Sequence, residues 1–221
     1  PSTMVLQAHG CSLLRNIAEG GPACAQAVAE AGGLVAICVA MQAHLSDVDV
    51  QMTGSTALCQ IAECGAACAQ AVAEAGGARA SVVALRAHPS TMALQAHGCS
   101  LLCNIAAGGA ACAQAVAEAG GLAAICVAMQ AHPSDVDVQT AGSTALHRIA
   151  AGGAACAEAV VEAGGARASV AARCERTRAI WSCRRTAVLR CVASRKAALR
   201  AHRRWRRRAV PRRFLWLCRR T

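Results

Sequence analysis

The chain has 221 residues, a net charge of +11 at neutral pH, 55% hydrophobic residues and only 16% charged ones. That is too apolar for a disordered chain, and its longest apolar run, Ala31 to Met41, is too short for a membrane span of roughly 20 residues. The charge invites a nucleic-acid or membrane-surface partner, yet residues 1–172 carry five basic against eleven acidic residues, net −6, while 173–221 hold +17, all three Trp and the one Phe.

The first predicted element is a long helix over 3–18, with Leu6, Gly10, Leu13, Leu14 and Ile17 on one face. Gly20-Gly21 ends it, and Ser2 reads as its N-cap; Ser46 and Ser134, before Asp-Val-Asp, take that place in later copies. A short helix follows over 23–31, stopped by Gly32-Gly33. A second short helix covers 34–43, where Leu34, Ile37, Cys38 and Met41 fall at i, i+3, i+4 and i+7. No stretch alternates as a strand does, so the fold class is all-α.

These elements recur. Gly-Gly pairs at 32–33, 76–77, 120–121 and 164–165 keep a spacing of 44, and Gln7, Gln51, Gln95 and Gln139 keep step. The units are 1–44, 45–88, 89–132 and 133–172. Alternate units are most alike, as duplication of a two-unit block would leave them. The period lies in the range of helical solenoids. One unit cannot bury its stripe alone, so neighbours must stack into a continuous core. That core is Ala, Gly, Cys, Val and Leu, which remove little area from water at about 25 cal/mol per Å². A thin stability margin and frayed ends are expected, since no polar capping repeat is visible.

Residues 173–221 form an irregular basic tail where the glycine pairs vanish. The genetic code offers a cause. Joining the third base of each codon to the first two of the next, with allowed wobble choices, gives a complete further repeat in register from Thr177 to Thr221. The tail therefore reads as a frame-shifted fifth repeat, with the frame change near Ala171–Arg173, and it is expected to pack poorly. The chain also opens in mid-pattern without Met, which reads as a fragment. No charged-then-apolar signal segment opens it. The cysteines accordingly read as reduced thiols of an intracellular protein, cytoplasmic or nuclear and not secreted.

The segment AQAVAEAGGLVAICVAMQAH, followed by a Ser/Asp-rich loop and then VQ…GSTALHRIA or LQ…GCSLLRNIA, resembles the armadillo repeat family. The resemblance covers 1–172 in four copies. It implies a right-handed α-solenoid of three-helix repeats, whose third helices line a concave groove that binds protein or extended peptide. The family's groove Asn corresponds to Asn16 and Asn104, with Gln60 and Arg148 in the other units. Importin-type members carry a Trp one turn earlier; here that place holds Ser12, Thr56, Ser100 and Thr144. Arg15 and His147, with Cys59 and Cys103 at the equivalent positions, complete this face. The function expected is a non-enzymatic scaffold for a protein or peptide partner. The alternative is nucleic-acid or acidic-surface binding through Arg203, Arg204, Trp205, Arg206, Arg207 and Arg208, a basic run with an aromatic able to stack. It requires the tail to be genuine.

Other chemistry finds no support in the motifs. The cysteines recur in register, as Cys24, Cys68, Cys112 and Cys156 do, but approach one another only as C-x₃-C at Cys64/Cys68 and Cys99/Cys103. They read as small buried apolar residues, not zinc ligands. His44, His88 and His132 read as polar caps of successive second helices, and at about 8–10 Å between stacked helices they cannot share a metal. Glu30, Glu74, Glu118 and Glu162 read as solvated helix ends. No nucleophile elbow, P-loop, H-E-x-x-H or G-x-G-x-x-G occurs. No catalytic residue, metal or cofactor is therefore expected.

Overall fold

Two adjacent glycines do different jobs at each break between the short helices. In the computed structural model, which describes residues 2–170, Gly32, Gly76 and Gly120 sit at φ 77°, 85° and 82°, the left-handed region that a side chain disfavours. The glycine after each has ordinary backbone but no room. A Cβ on Gly33 would stand 2.8 Å from Val28 Cγ1 and 2.9 Å from the Val28 carbonyl oxygen. The pair lets the next helix start at once, turned by 68° after the first break and 69° after the third.

Eleven helices fill residues 2–162. The long ones are α1 (Ser2–Ala18), α4 (Val48–Glu63), α7 (Met92–Ala107) and α10 (Val136–Ala151). The first short helices are α2 (Pro22–Glu30), α5 (Ala66–Glu74), α8 (Ala110–Glu118) and α11 (Ala154–Glu162). The second short helices are α3 (Gly33–Ala43), α6 (Gly77–Ala87) and α9 (Gly121–Ala131). Helical backbone resumes over 165–170. No strand occurs among the described residues. The chain is an α-solenoid of three-helix repeats.

The long helices pack side by side in series, α1 on α4, α4 on α7, α7 on α10. Their apolar stripe faces the short helices. Leu58, Ile61, Leu101, Leu102, Ile105 and Ile149 are fully buried, with Ile37, Met41 and Ile125 from the second helices. The stripe has one close approach in each of the second, third and fourth repeats. A Cβ on Gly54 or Gly142 would stand 2.6 Å from Met41 Cγ or Met129 Cγ, and one on Gly98 2.6 Å from Leu85 Cδ2.

The predicted stripe of the first long helix is different. Leu6 is 71% exposed, Leu13 61% and Ile17 42%, whereas Val50, Leu94 and Val138, which stand where Leu6 does, are wholly buried. α1 packs on α4 but has no helix before it in the described residues.

Two polar devices tie the repeats. Gln51 Nε2 donates to the carbonyls of Met41 (2.6 Å) and His44 (3.0 Å). Gln95 does the same to Leu85 and His88, and Gln139 to Met129 and His132. Each closes the open carbonyls at the end of a second helix, where intrahelical donors run out.

The second device is histidine. His44, His88 and His132 are C-cap residues, as expected. The rings of the last two also reach back 43 residues, to the loop after the preceding second helix. His88 Nε2 lies 2.7 Å from the Leu45 carbonyl oxygen and His132 Nε2 2.7 Å from that of Pro89. A carbonyl only accepts, so Nε2 carries the proton in both.

The expected serine caps are displaced by one residue. Asp47 and Asp135, not Ser46 and Ser134, cap α4 and α10, accepting from Val50 N (2.9 Å) and Val138 N (2.8 Å). The carboxylate is favoured there because it meets both an open N–H and the positive end of the helix. α1 starts on Ser2 itself.

Candidate functional site

Side-by-side packing of the long helices puts their polar residues along the seams between repeats. Ser12, Thr56 and Ser100 are half-buried, and Thr144 on the last long helix is exposed. The hydroxyls of Thr56 and Thr144 donate back to Met52 O and Thr140 O, both at 2.8 Å, leaving their lone pairs outward.

The next positions diverge. Arg15 is half-buried and His147 exposed, but Cys59 and Cys103, at the equivalent places, are buried. The neighbouring long helix covers these thiols, so the face is narrower there than a uniform stripe suggests.

Three sets of these residues meet. Arg15 Nε and Nη2 donate to Asn16 Oδ1 at 3.2 and 3.0 Å, and Arg15 pairs with Glu19 at 3.6 Å. Across the next seam, Asn104 Nδ2 donates to Glu63 Oε1 (2.9 Å) and to Cys59 Sγ (3.2 Å). At the last, the Arg148 guanidinium acts on Cys103, lowering its pKa against burial. Gln60 is half-buried, and its carbonyl accepts the Cys64 thiol at 3.3 Å. Asn104 Oδ1 and Asn16 Nδ2 keep their outward capacity. They leave one acceptor and one donor open, two repeats apart.

Glu63 was missed by sequence reasoning. Its signal was position, the last residue of the second long helix three beyond Gln60, where the next two copies have Ala107 and Ala151.

The thiols beneath the face are not reactive. Burial, then the Glu63 charge, pushes Cys59 up to about 12, against the Asn104 hydrogen bond that lowers it. Burial also raises Cys103, offset by Arg148. Both stay protonated at neutral pH, so neither supplies a thiolate for nucleophilic attack or metal binding. No group of three or more His, Cys, Asp or Glu able to hold a metal occurs among the described residues. No described helix is long and apolar enough by itself to cross a membrane. Arg203, Arg204, Trp205, Arg206, Arg207 and Arg208 lie outside the described residues, as does the rest of 173–221.

No family model matches the chain, and no curated protein matches it. Solved structures do. An engineered protein from the Northeast Structural Genomics Consortium superposes with a TM-score of 0.65 at 28% identity, over 75% of this chain and 64% of that one. The chain thus spans under two thirds of that protein's length. A designed armadillo repeat protein superposes with a TM-score of 0.63 at 24% identity, over 77% of this chain and 79% of that one. Another, in complex with the peptide (KR)4, gives a TM-score of 0.51 at 20% identity, over 90% and 98%. The fold is that of an armadillo-type repeat scaffold.

Proposed function

We propose that the long-helix face binds an extended peptide segment of a partner protein, as a non-enzymatic scaffold. The observation that carries this is the file of seam residues Thr56, Asn104, Glu63, Thr144 and Arg148, whose polar groups stand where successive long helices meet. A fold neighbour held with a (KR)4 peptide supports the same use of the architecture.

Charge along the face narrows the partner. Glu63 is a carboxylate in the second repeat and Arg148 a guanidinium in the fourth. At about 8–10 Å per helix, two repeats span roughly 16–20 Å, or five to six residues of extended peptide at about 3.3 Å each. The segment that fits carries a basic side chain at one position and an acidic one five or six along. The face has no aromatic anchor of the kind that dominates tight interfaces, so affinity is modest.

Fluorescence anisotropy with a labelled peptide of that pattern tests this. Binding is expected to weaken with salt and to fall on Glu63→Arg. A peptide with its basic residue changed to acidic should recover affinity for that variant. Equal binding of both peptides by both proteins would sink the reading.

The alternative rests on the run Arg203 to Arg208 and the +17 carried by 173–221. Under it, nucleic-acid binding is steeply salt-dependent and is lost from residues 1–172 alone. If residues 1–172 bind as well as the full chain does, the tail is not the site.

A further inference from the structure

One or two residues past each long helix stands a residue followed by a glycine at positive φ. In the first, third and fourth repeats that residue is Gly20, Gly108 and Gly152, and a cysteine follows four residues on, at Cys24, Cys112 and Cys156. The second repeat alone has cysteine in both places, Cys64 and Cys68.

The empty positions measure the geometry. A Cβ on Gly20 would stand 2.9 Å from Cys24 Sγ, one on Gly108 3.0 Å from Cys112 Sγ, and one on Gly152 3.6 Å from Cys156 Sγ. Cys64 has the backbone of those glycines, φ −69° and ψ −7° against −67° and −9° for Gly108, and it carries the Cβ. Across a disulfide, an S–S bond of about 2.05 Å leaves each Cβ about 3 Å from the partner sulfur. By analogy with those three repeats, a Cβ in this backbone falls about 3–3.6 Å from the sulfur four residues on, near the reach of a half-cystine. Independently, Cys68 is among the groups that raise the Cys64 pKa, after burial. The Cys64 thiol now donates to the Gln60 carbonyl at 3.3 Å, and rotation about its Cα–Cβ bond turns it to Cys68.

Access differs between the two sulfurs. Cys64 is half-buried, whereas Cys68 is 4% exposed and lies in the first turn of α5. We infer that Cys64 and Cys68 form a redox-active dithiol, closed reversibly into a disulfide by a small-molecule disulfide such as oxidised glutathione.

In the first step Cys64 gives its proton to solvent and attacks one glutathione sulfur. The glutathione S–S bond breaks, one glutathione thiolate leaves, and Cys64 holds the other as a mixed disulfide. Cys68 then loses its proton and attacks the Cys64 sulfur, and the second glutathione leaves as a thiolate. The two departing thiolates take up two protons. The cysteine pair is oxidised by two electrons and glutathione disulfide is reduced to two thiols. The new bond ties the end of α4 to the first turn of α5, one residue from Glu63.

Mass mapping of the full chain tests this. A glutamate-specific protease cuts after Glu63 and Glu74, releasing 64–74, which holds these two cysteines and no others. After equilibration with oxidised glutathione and quenching with an alkylating agent, that peptide is expected mostly unalkylated and lighter by two hydrogens. Dithiothreitol should convert it to a doubly alkylated form. In Cys68→Ser the resolving thiol is gone, so a glutathione adduct should accumulate on Cys64, as it does not in the parent. Recovery of the parent peptide doubly alkylated, cross-linked to another cysteine peptide, or carrying as much adduct as Cys68→Ser overturns the proposal.

Discussion

Cys38, Cys59 and Cys99 show what burial does to a thiol in a core this rich in them. Burial raises all three from an ordinary 9.0, Cys38 to about 11, Cys59 and Cys99 to about 12. Between pH 9 and 12 the unfolded chain therefore binds fewer protons at these sites than the folded one, so stability falls as pH rises through that window. A thermal melt series should show the midpoint dropping there, and Cys99→Val should flatten the drop; a midpoint indifferent to pH over this range would contradict the buried thiols. Glycine gives a second prediction at this scale. Gly98→Ala pushes a Cβ against Leu85 Cδ2 and Cγ and should cost about 1–3 kcal/mol. Gly10→Ala meets nothing within 4 Å and should stabilise by about 0.5–1 kcal/mol through helix propensity. Chemical denaturation of both variants checks the opposite signs.

The elements owe their ends to side chains from elsewhere in the repeat. Gln95 is buried and closes the Leu85 and His88 carbonyls at the end of α6. Gln95→Ala leaves both carbonyls short of a donor and should cost about 2–3 kcal/mol, most of it the penalty for unsatisfied buried groups. Gln7 holds the equivalent place on α1 but is exposed, so Gln7→Ala should be near neutral. Urea unfolding of the pair separates a structural clamp from a helix-propensity effect. The glutamine period was legible in the sequence as a register mark. Its job was not, because the carbonyls it serves lie ten and seven residues back and come within reach only once α6 and α7 are packed.

Across the molecule each repeat leans on its neighbours, so stability varies along the array. α7 is covered on both sides by long helices, while the stripe of α1 is open. Amide exchange should be slowest in α7 and fastest in α1, and uniform protection along 2–162 would contradict this. The tail belongs to the same scale. If 173–221 is a repeat read out of frame, the nucleotide sequence across codons 165–185 will give that repeat when read in the shifted frame. A coding sequence that yields no repeat there disposes of the idea.

By itself, the sequence determined the solenoid: the glycine pairs, the stripe of Leu34, Ile37, Cys38 and Met41, and a spacing of 44 are local patterns that a helix expresses wherever it lies. Helix ends were legible for the same reason to within a residue, although the cap expected at Ser46 is supplied by Asp47. Tertiary structure alone decided which polar residues meet. Asn104 reaches Glu63, His132 reaches Pro89, and Cys59 goes under a neighbouring helix while Arg15 at the same register stays half-buried. Those outcomes depend on the distance between successive long helices and on which side chains share a seam. Neither is encoded in the pattern of any one repeat.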